Sequence, residues 1–302
     1  MRVAIAGGGS MAKYFSEEFL KSGHEVIILT RSKKAFFDKD GISQRITDYS
    51  VPSLTNHLQD CDVLVSAILD YSMEFARVNL ALLEACKQSP KCKRFIPSEY
   101  GGNVEDYPDQ PGFYFPNHNP VREALLNQSE IEWTVVSCGW LSDWLVPSKN
   151  RHFADIGDAY PININTRTAT IPGTGKEILA LTSARDVAKS VSALLEAPKW
   201  SPYVYMEGEA TSWLKIVELL KERTPDFSFK LLSLQNMIDV VIEGKSDEEV
   251  ISAQYGIFSA SGAGYFDPQK VADDRSKYFK NIHFRSIREI LAEVDKKPDV
   301  IV

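Results

Sequence analysis

The chain has 302 residues, 44% of them apolar and 25% charged, with a formal net charge of −7. That length suggests one large domain or two closely joined ones, and the acidic balance disfavours a general nucleic-acid binder, which normally presents a basic face. No run of about 18 apolar residues occurs, so no membrane span is expected, and the opening "MRVAIAGGG" is too short and too glycine-rich for a signal peptide. Cys61, Cys86, Cys92 and Cys138 show no metal-ligand spacing, so reduced thiols in a cytoplasmic protein are expected, with no metal.

"RVAIA" (Arg2–Ala6) is a short apolar run, the pattern of a buried parallel strand. In "GGGSMAKYFSEEFLKSG", Ala12, Phe15, Phe19 and Leu20 fall at helical spacing and Gly23 supplies a stop. "HEVIILT" reads as a second strand, "SQRITDY" as a weaker third, and "CDVLVSAI" as a fourth after a short helix around Leu54–Leu58. A helix from about Tyr71 to Lys87 leads to "KRFIP", the fifth strand, and a helix starting near Pro120 leads to "IEWTVVSCG", the sixth. Strands alternating with helices predict an α/β fold: a Rossmann-type, doubly wound parallel sheet covered on both faces.

After about Trp140 the rhythm changes. "TRTATIPGTG" predicts a strand and turn, and "KEILALTSARDVAKSVSALLEAP" a short strand followed by a helix opened by Ser183. "TSWLKIVELLKER", "LSLQNMIDVVIEG" and "SIREILAEV" predict three further helices. The expected organisation is a dinucleotide-binding domain over residues 1–148 and a smaller α+β substrate-binding part over 149–302, packed closely on the first because no linker-like segment separates them.

"GGGSMA" fits G-x-G-x-x-A between a predicted strand and a predicted helix. Gly7 permits the tight turn, Gly9 lets backbone approach a pyrophosphate, and Ala12 keeps the helix close to the sheet. The helix start, Ser10 and Met11, offers free N–H groups to phosphate. About 20 residues on, an NAD site usually places a carboxylate on the ribose hydroxyls. Here "ILTRSKK" carries Arg31 and Lys34 and no carboxylate, a set suited to a 2′-phosphate and hence to NADPH.

Ligands of open α/β sheets sit beyond the carboxyl ends of the strands. That selects Ala67, Ile68 and Leu69 after strand four and Pro97, Ser98, Glu99 and Tyr100 after strand five. Gly139, Trp140 and Leu141 follow strand six. Ser98 and Tyr100 carry hydroxyls able to hold a substrate oxygen; the alternative is that Ser98 caps a turn and Tyr100 packs. Trp140 and Trp144, with Phe113 and Phe115, are candidates for an aromatic substrate wall, although aromatics at such spacing are more often core. The long, proline-containing segment Gly101–Asn119 has the character of a functional lid.

With "VAIAGGGSMA", "EVIILTRS", "KRFIPSEYGGN", "PVREALL", "WTVVSCGWLSDWLVP" and "MEGEATSWLKIVELLK" in view, the chain resembles the isoflavone-reductase-like, NmrA-like family of atypical short-chain dehydrogenases. The resemblance implies a Rossmann domain with a smaller substrate domain, NADPH as cofactor, and reduction of aromatic secondary metabolites. It also includes NmrA-type members that bind the nucleotide as regulators and catalyse nothing. Reductases of the family use a lysine four residues before the arginine of a block such as "VR"; counting back from Arg122 lands on His118. Here the chain departs from the pattern.

Histidine titrates near neutrality when unperturbed and suits proton transfer. Tyr114 stands four residues earlier, but Pro116 and Pro120 flank His118 and favour an extended loop, so Tyr114 and His118 are not expected to form a dyad. Three readings stay open: His118 as acid or base in an NADPH reductase, as base in redox-neutral isomerisation or dehydration, or as a non-catalytic residue. The favoured expectation is an NADPH-dependent reductase of a small aromatic or enone-containing substrate, monomeric or homodimeric, with Ser98 and Tyr100 as helpers.

Overall fold

The computed structural model describes residues 1–302. Its frame follows from apolar runs too short for anything but strands. β1 (Arg2–Ala6) is buried from Val3 onward. α1 (Ser10–Lys21) starts directly after Gly9, with Ala12, Phe15 and Phe19 in the core. Then come β2 (Glu25–Thr30), β3 (Ile42–Ile46), α2 (Val51–Leu58), β4 (Val63–Ser66), α3 (Glu74–Gln88), β5 (Arg94–Ile96), α4 (Phe115–Leu126) and β6 (Glu132–Trp133). The six strands pair in parallel in the order β3-β2-β1-β4-β5-β6. The order reverses between β1 and β4, the switch point at which doubly wound sheets open a crevice. One core lies under α1; the other lies under α2, α3 and α4.

The later chain adds β7 (Val135–Ser137), β8 (Trp140–Leu141), β9 (Ile162–Asn163), β10 (Thr168–Pro172), β11 (Leu179–Thr182), α5 (Ala184–Leu195), β12 (Tyr203–Tyr205), β13 (Glu209–Thr211), α6 (Trp213–Arg223) and β14 (Ser228–Leu232). Four helices close it: α7 (Leu234–Glu243), α8 (Asp247–Ser261), α9 (Pro268–Tyr278) and α10 (Ile287–Lys296). Small sheets β14-β10-β9 and β13-β11-β8 surround a third core. Ser183, as expected, caps α5, accepting from the Asp186 amide. α8 and α9 had no clear apolar stripe in the sequence and went unforeseen.

Two expectations need correction, those for the sixth strand and for the segment before Pro120. The sixth strand is broken at Thr134: Glu132 and Trp133 pair with β5, whereas Val135–Ser137 pair with β12. Residues on the two sides of 148/149 pack closely on one another. α5 lies against α1, and Val187, Val191, Leu194, Val204, Phe279 and Phe284 share one core with Val3 and Phe15. The chain returns to its first half because those residues complete the sheet's second covering layer.

Finally, α4 begins at Phe115, five residues before Pro120, so the lid segment is shorter than expected and His118 is helical. Pro116 sits in the first turn, where its missing N–H would have no intrahelical partner anyway. Pro120 does remove a backbone hydrogen bond from the helix interior. The first turn still closes, His118 N–H donating to Tyr114 O at 2.8 Å, and tertiary contacts offset the loss: Asn117 Nδ2 reaches Ser72 O at 3.1 Å, and Asn117, His118, Val121, Arg122 and Leu125 are buried.

Candidate functional site

A cavity of about 680 Å³ opens along the carboxyl edge of the sheet and runs under α4 and α8. Its first end is the glycine turn. Gly7 has φ +106°, and a Cβ there would meet the Ala67 carbonyl oxygen at 3.0 Å, so the turn needs glycine. Gly9, Ser10 and Met11 line the cavity, while Ala12 packs in the core, holding α1 to the sheet rather than touching a ligand. A Cβ on Gly9 would meet no protein atom within 4 Å. The turn therefore leaves free the kind of backbone face a pyrophosphate requires.

Arg31 and Lys34 lie beyond β2 at the same end, joined by Thr30 and Ser32. No carboxylate stands in the chain just after β2, but α3 brings one to this place. Glu74 Oε1 accepts from Arg31 Nη2 at 2.7 Å, and the same carboxylate takes Arg77 at 2.6 Å. Arg31 also lies over the Tyr49 ring, 5.5 Å from its centroid. These groups fit a phosphorylated dinucleotide: an open glycine turn, a helix N-terminus, and an exposed guanidinium whose present partner, Glu74, has Arg77 as a second cation.

Ala67, Ile68 and Leu69 line the middle of the cavity, with Ser98 and Gly139 nearby; Pro97 is buried behind them and does not line it. Gly139 has φ +68° with a Cβ position 2.1 Å from Ala180 O, so it is demanded by packing. Tyr100 forms part of the wall, but its hydroxyl donates to Ser66 O at 3.0 Å and its ring packs on Phe15. Its proton is thus committed to the backbone. Trp140, Leu141 and Trp144 line the far end. Trp140 is also a core residue, against Tyr160 and Trp213. Phe115 is not in the wall: it is 39% exposed, because starting α4 at this residue turns it outward and leaves Tyr114 on the cavity side.

His118 lies in the wall, only 5% exposed. Phe75 of α3 stacks on its ring at 3.7 Å and 10°, and the Tyr114 ring is 4.6 Å away; the helix brings Tyr114 and His118 together, but no hydrogen bond joins them and the Tyr114 hydroxyl turns to Tyr255. His118 Nδ1 is 3.1 Å from Glu99 Oε1, off the line of a straight hydrogen bond, and Nε2 has no protein partner. Arg122 clamps both oxygens of Glu99, from Nε at 3.0 Å and from Nη2 at 2.6 Å. Its Nη1 donates to Pro108 O at 2.6 Å. Burial pushes the Glu99 carboxyl up, but His118 and Arg122 outweigh it, and the group stays below the usual carboxylate range. Tyr114 and Tyr255 of α8 share a hydroxyl–hydroxyl bond of 2.8 Å; burial pushes both phenols up, so they remain protonated donors at neutral pH.

Residues 2–286 match the model of a family described as NmrA-like. The chain belongs to the NmrA-like family. It is 46% identical, across the whole of both chains, to a protein named oxidoreductase swnR from Arthroderma benhamiae. It is 24% identical to an isoflavone reductase homolog A622 from Nicotiana tabacum, covering 80% of this chain and 79% of the other. Among solved structures, a ternary complex of leucoanthocyanidin reductase from Vitis vinifera superposes with TM-score 0.78 at 19% identity, covering 98% and 100% of the two chains. AtPrR2 with NADP+ and (+)pinoresinol gives 0.77 at 20%, covering 96% and 97%. These structural likenesses establish a shared Rossmann-type fold.

In this NmrA-like chain the sequence missed Glu74, Phe75, Tyr114, Arg122 and Tyr255 as cavity residues. Arg122 carried a signal, the i, i+4 spacing from His118, which a helical reading of the segment would have exposed. Glu99 was singled out only by its place after strand five. Tyr255 carried none, since it arrives from a distant helix.

Proposed function

We propose that this protein is an NADPH-dependent reductase of a small aromatic or enone-containing metabolite, with His118 as the proton donor. The observation that carries the reading is His118 itself: a buried imidazole in the cavity wall, fixed by Phe75 and beside Glu99, with Nε2 left without a protein partner. The name of the 46% identical relative and the NADP+ in the AtPrR2 complex support it.

Gly7, Gly9, Ser10 and Met11 would hold the pyrophosphate, and Arg31 with Lys34 the 2′-phosphate. Ala67, Ile68, Leu69, Ser98 and Gly139 would flank the nicotinamide half, with Pro97 and Ala12 supporting from behind. NADPH supplies the hydride when bound. His118 gives its Nε2 proton to the oxygen or carbon that becomes negative, and is reprotonated from solvent; the net change adds two hydrogens across one double bond and leaves NADP+. Trp140, Leu141 and Trp144 bound the apolar end. Tyr100 serves as wall, its proton being engaged by Ser66.

The test is a product-identified screen of phenolic, quinoid and enone compounds with NADPH. Mole-for-mole oxidation of NADPH with product is expected. His118→Ala should lower turnover by about 100-fold or more, the scale of general acid catalysis, while NADPH still binds. Unchanged turnover removes His118 from the mechanism. Product without NADPH oxidation points instead to a redox-neutral reaction, and NADPH binding without any turnover to a nucleotide-sensing regulator.

A further inference from the structure

We propose that Glu99 is a positioning residue that keeps a proton on His118 Nδ1, making Nε2 the nitrogen that exchanges protons with bound substrate. The inference rests on the preceding reading of His118 and adds the group that sets its tautomer.

The geometry begins with Arg122. His118 and Arg122 are four residues apart on α4 and so share a face. Arg122 bonds both Glu99 oxygens, at 3.0 and 2.6 Å, while Pro108 O holds its remaining nitrogen at 2.6 Å. The guanidinium has no freedom to swing, and a two-pronged clamp of this kind fixes the plane of the carboxylate as well as its place. Glu99 Oε1 is left facing Nδ1 at 3.1 Å. Phe75, stacked at 3.7 Å and 10°, restricts rotation of the ring. The contact is off-line here, as catalytic contacts often are before substrate tightens them.

An ionised carboxylate only accepts hydrogen bonds, so the nitrogen it faces must carry a proton in both the cationic and the neutral ring. Glu99 and Arg122 are of opposite charge, and the other neighbours of the ring, Tyr114 and Phe75, are uncharged. The pair therefore acts by orientation more than by net field. After Nε2 gives up its proton, the neutral ring is already in the tautomer that can take another from solvent and return to the cation.

The experiment uses full-length protein labelled with 15N-histidine, with and without NADP+. Imidazole 15N shifts are read at alkaline pH, where the ring is neutral, and His118 is assigned by its loss in His118→Gln. Wild type should show the Nδ1–H tautomer. In Glu99→Gln the amide oxygen keeps the shorter bond, from Arg122 Nη2 at 2.6 Å, the NH2 takes the place of Oε1 and gives up the Arg122 Nε bond to face Nδ1, and the tautomer should invert to Nε2–H with NADP+ affinity within about twofold. Glu99→Asp should restore the wild-type tautomer at least in part. Nε2–H in wild type overturns the proposal, as does a wild-type tautomer in Glu99→Gln. Should Glu99→Gln fail to fold, the wild-type tautomer alone decides. Turnover separates the two readings. Loss in His118→Ala together with an unaltered tautomer in Glu99→Gln defeats the positioning role only. Full turnover in His118→Ala defeats the proton-donor reading instead.

Discussion

At Arg31 two demands compete. Its guanidinium is held by Glu74 at 2.7 Å, and the proposed role requires it to meet a 2′-phosphate. Glu74 keeps Arg77 at 2.6 Å, so it retains a partner when Arg31 turns away. Glu74→Gln should tighten NADPH binding by roughly twofold to fivefold, the scale of an exposed ion pair, and leave NADH unaltered; calorimetric titration with both nucleotides measures this, and an equal gain for each would place the phosphate elsewhere. Gly9 offers a sharper test. Its φ of −87° is open to alanine, and a Cβ there touches no protein atom within 4 Å. Gly9→Ala should leave stability within about 1 kcal/mol yet weaken NADPH binding by about tenfold or more, because the methyl occupies the space a pyrophosphate needs. If binding survives intact, the turn is not a phosphate cradle. Both residues were legible in the sequence, since turn geometry and side-chain charge are local properties. Glu74 was not, because it approaches from another element.

Between elements, buried polar groups act as joints. Asp143, in the one-turn 3₁₀ helix Ser142–Leu145, accepts from Tyr14 Oη of α1 at 2.8 Å and from the Ala184 amide at the start of α5 at 2.8 Å. Its carboxyl is fully buried, and burial pushes its pKa up to about 6 despite those bonds. The unfolded value is near 4, so the native state binds the proton more tightly. The stability this group contributes is full below about pH 4 and is lost as pH rises through about 6, by an amount on the order of 3 kcal/mol. Glu17 works in the opposite sense: burial pushes it up, but His152 and Arg185 draw it down to about 2. A difference measurement isolates Asp143. Urea unfolding of wild type and Asp143→Asn across this range should show the variant gaining on wild type as pH rises; a constant difference would mean that the carboxyl is not neutralised on folding. At this scale α1, β1, β2 and α6 were legible from periodicity and caps. The start of α4 was not: two prolines argued against a helix that buried partners stabilise nonetheless.

The molecule as a whole closes the cavity with parts drawn from both halves of the chain: the glycine turn, β4 edge and Trp144 from the first, Phe153, Tyr255 and Phe258 from the second. A ligand that bridges them stabilises the folded state in proportion to its affinity. NADPH at about 100 times its dissociation constant should add roughly 2.7 kcal/mol, seen as a rise in thermal midpoint, with NADH at the same concentration giving clearly less. No shift with either nucleotide would remove the dinucleotide from this crevice. No helix is long and apolar enough to cross a membrane.

The sequence by itself determined the parallel sheet, the phosphate-ready turn and the presence of a histidine four residues before Arg122. Each of these is written in neighbouring residues: apolar runs of strand length, glycines at the spacing a tight turn requires, a charge beyond the second strand. It took the folded chain to show that α4 starts at Phe115, that the later α5 and β12 complete the core on the α1 side of the sheet, and that Glu99, Arg122, Phe75 and His118 meet. Those outcomes depend on contacts between segments far apart in the chain, where burial and pairing of charged groups outweigh the local preferences that a sequence displays.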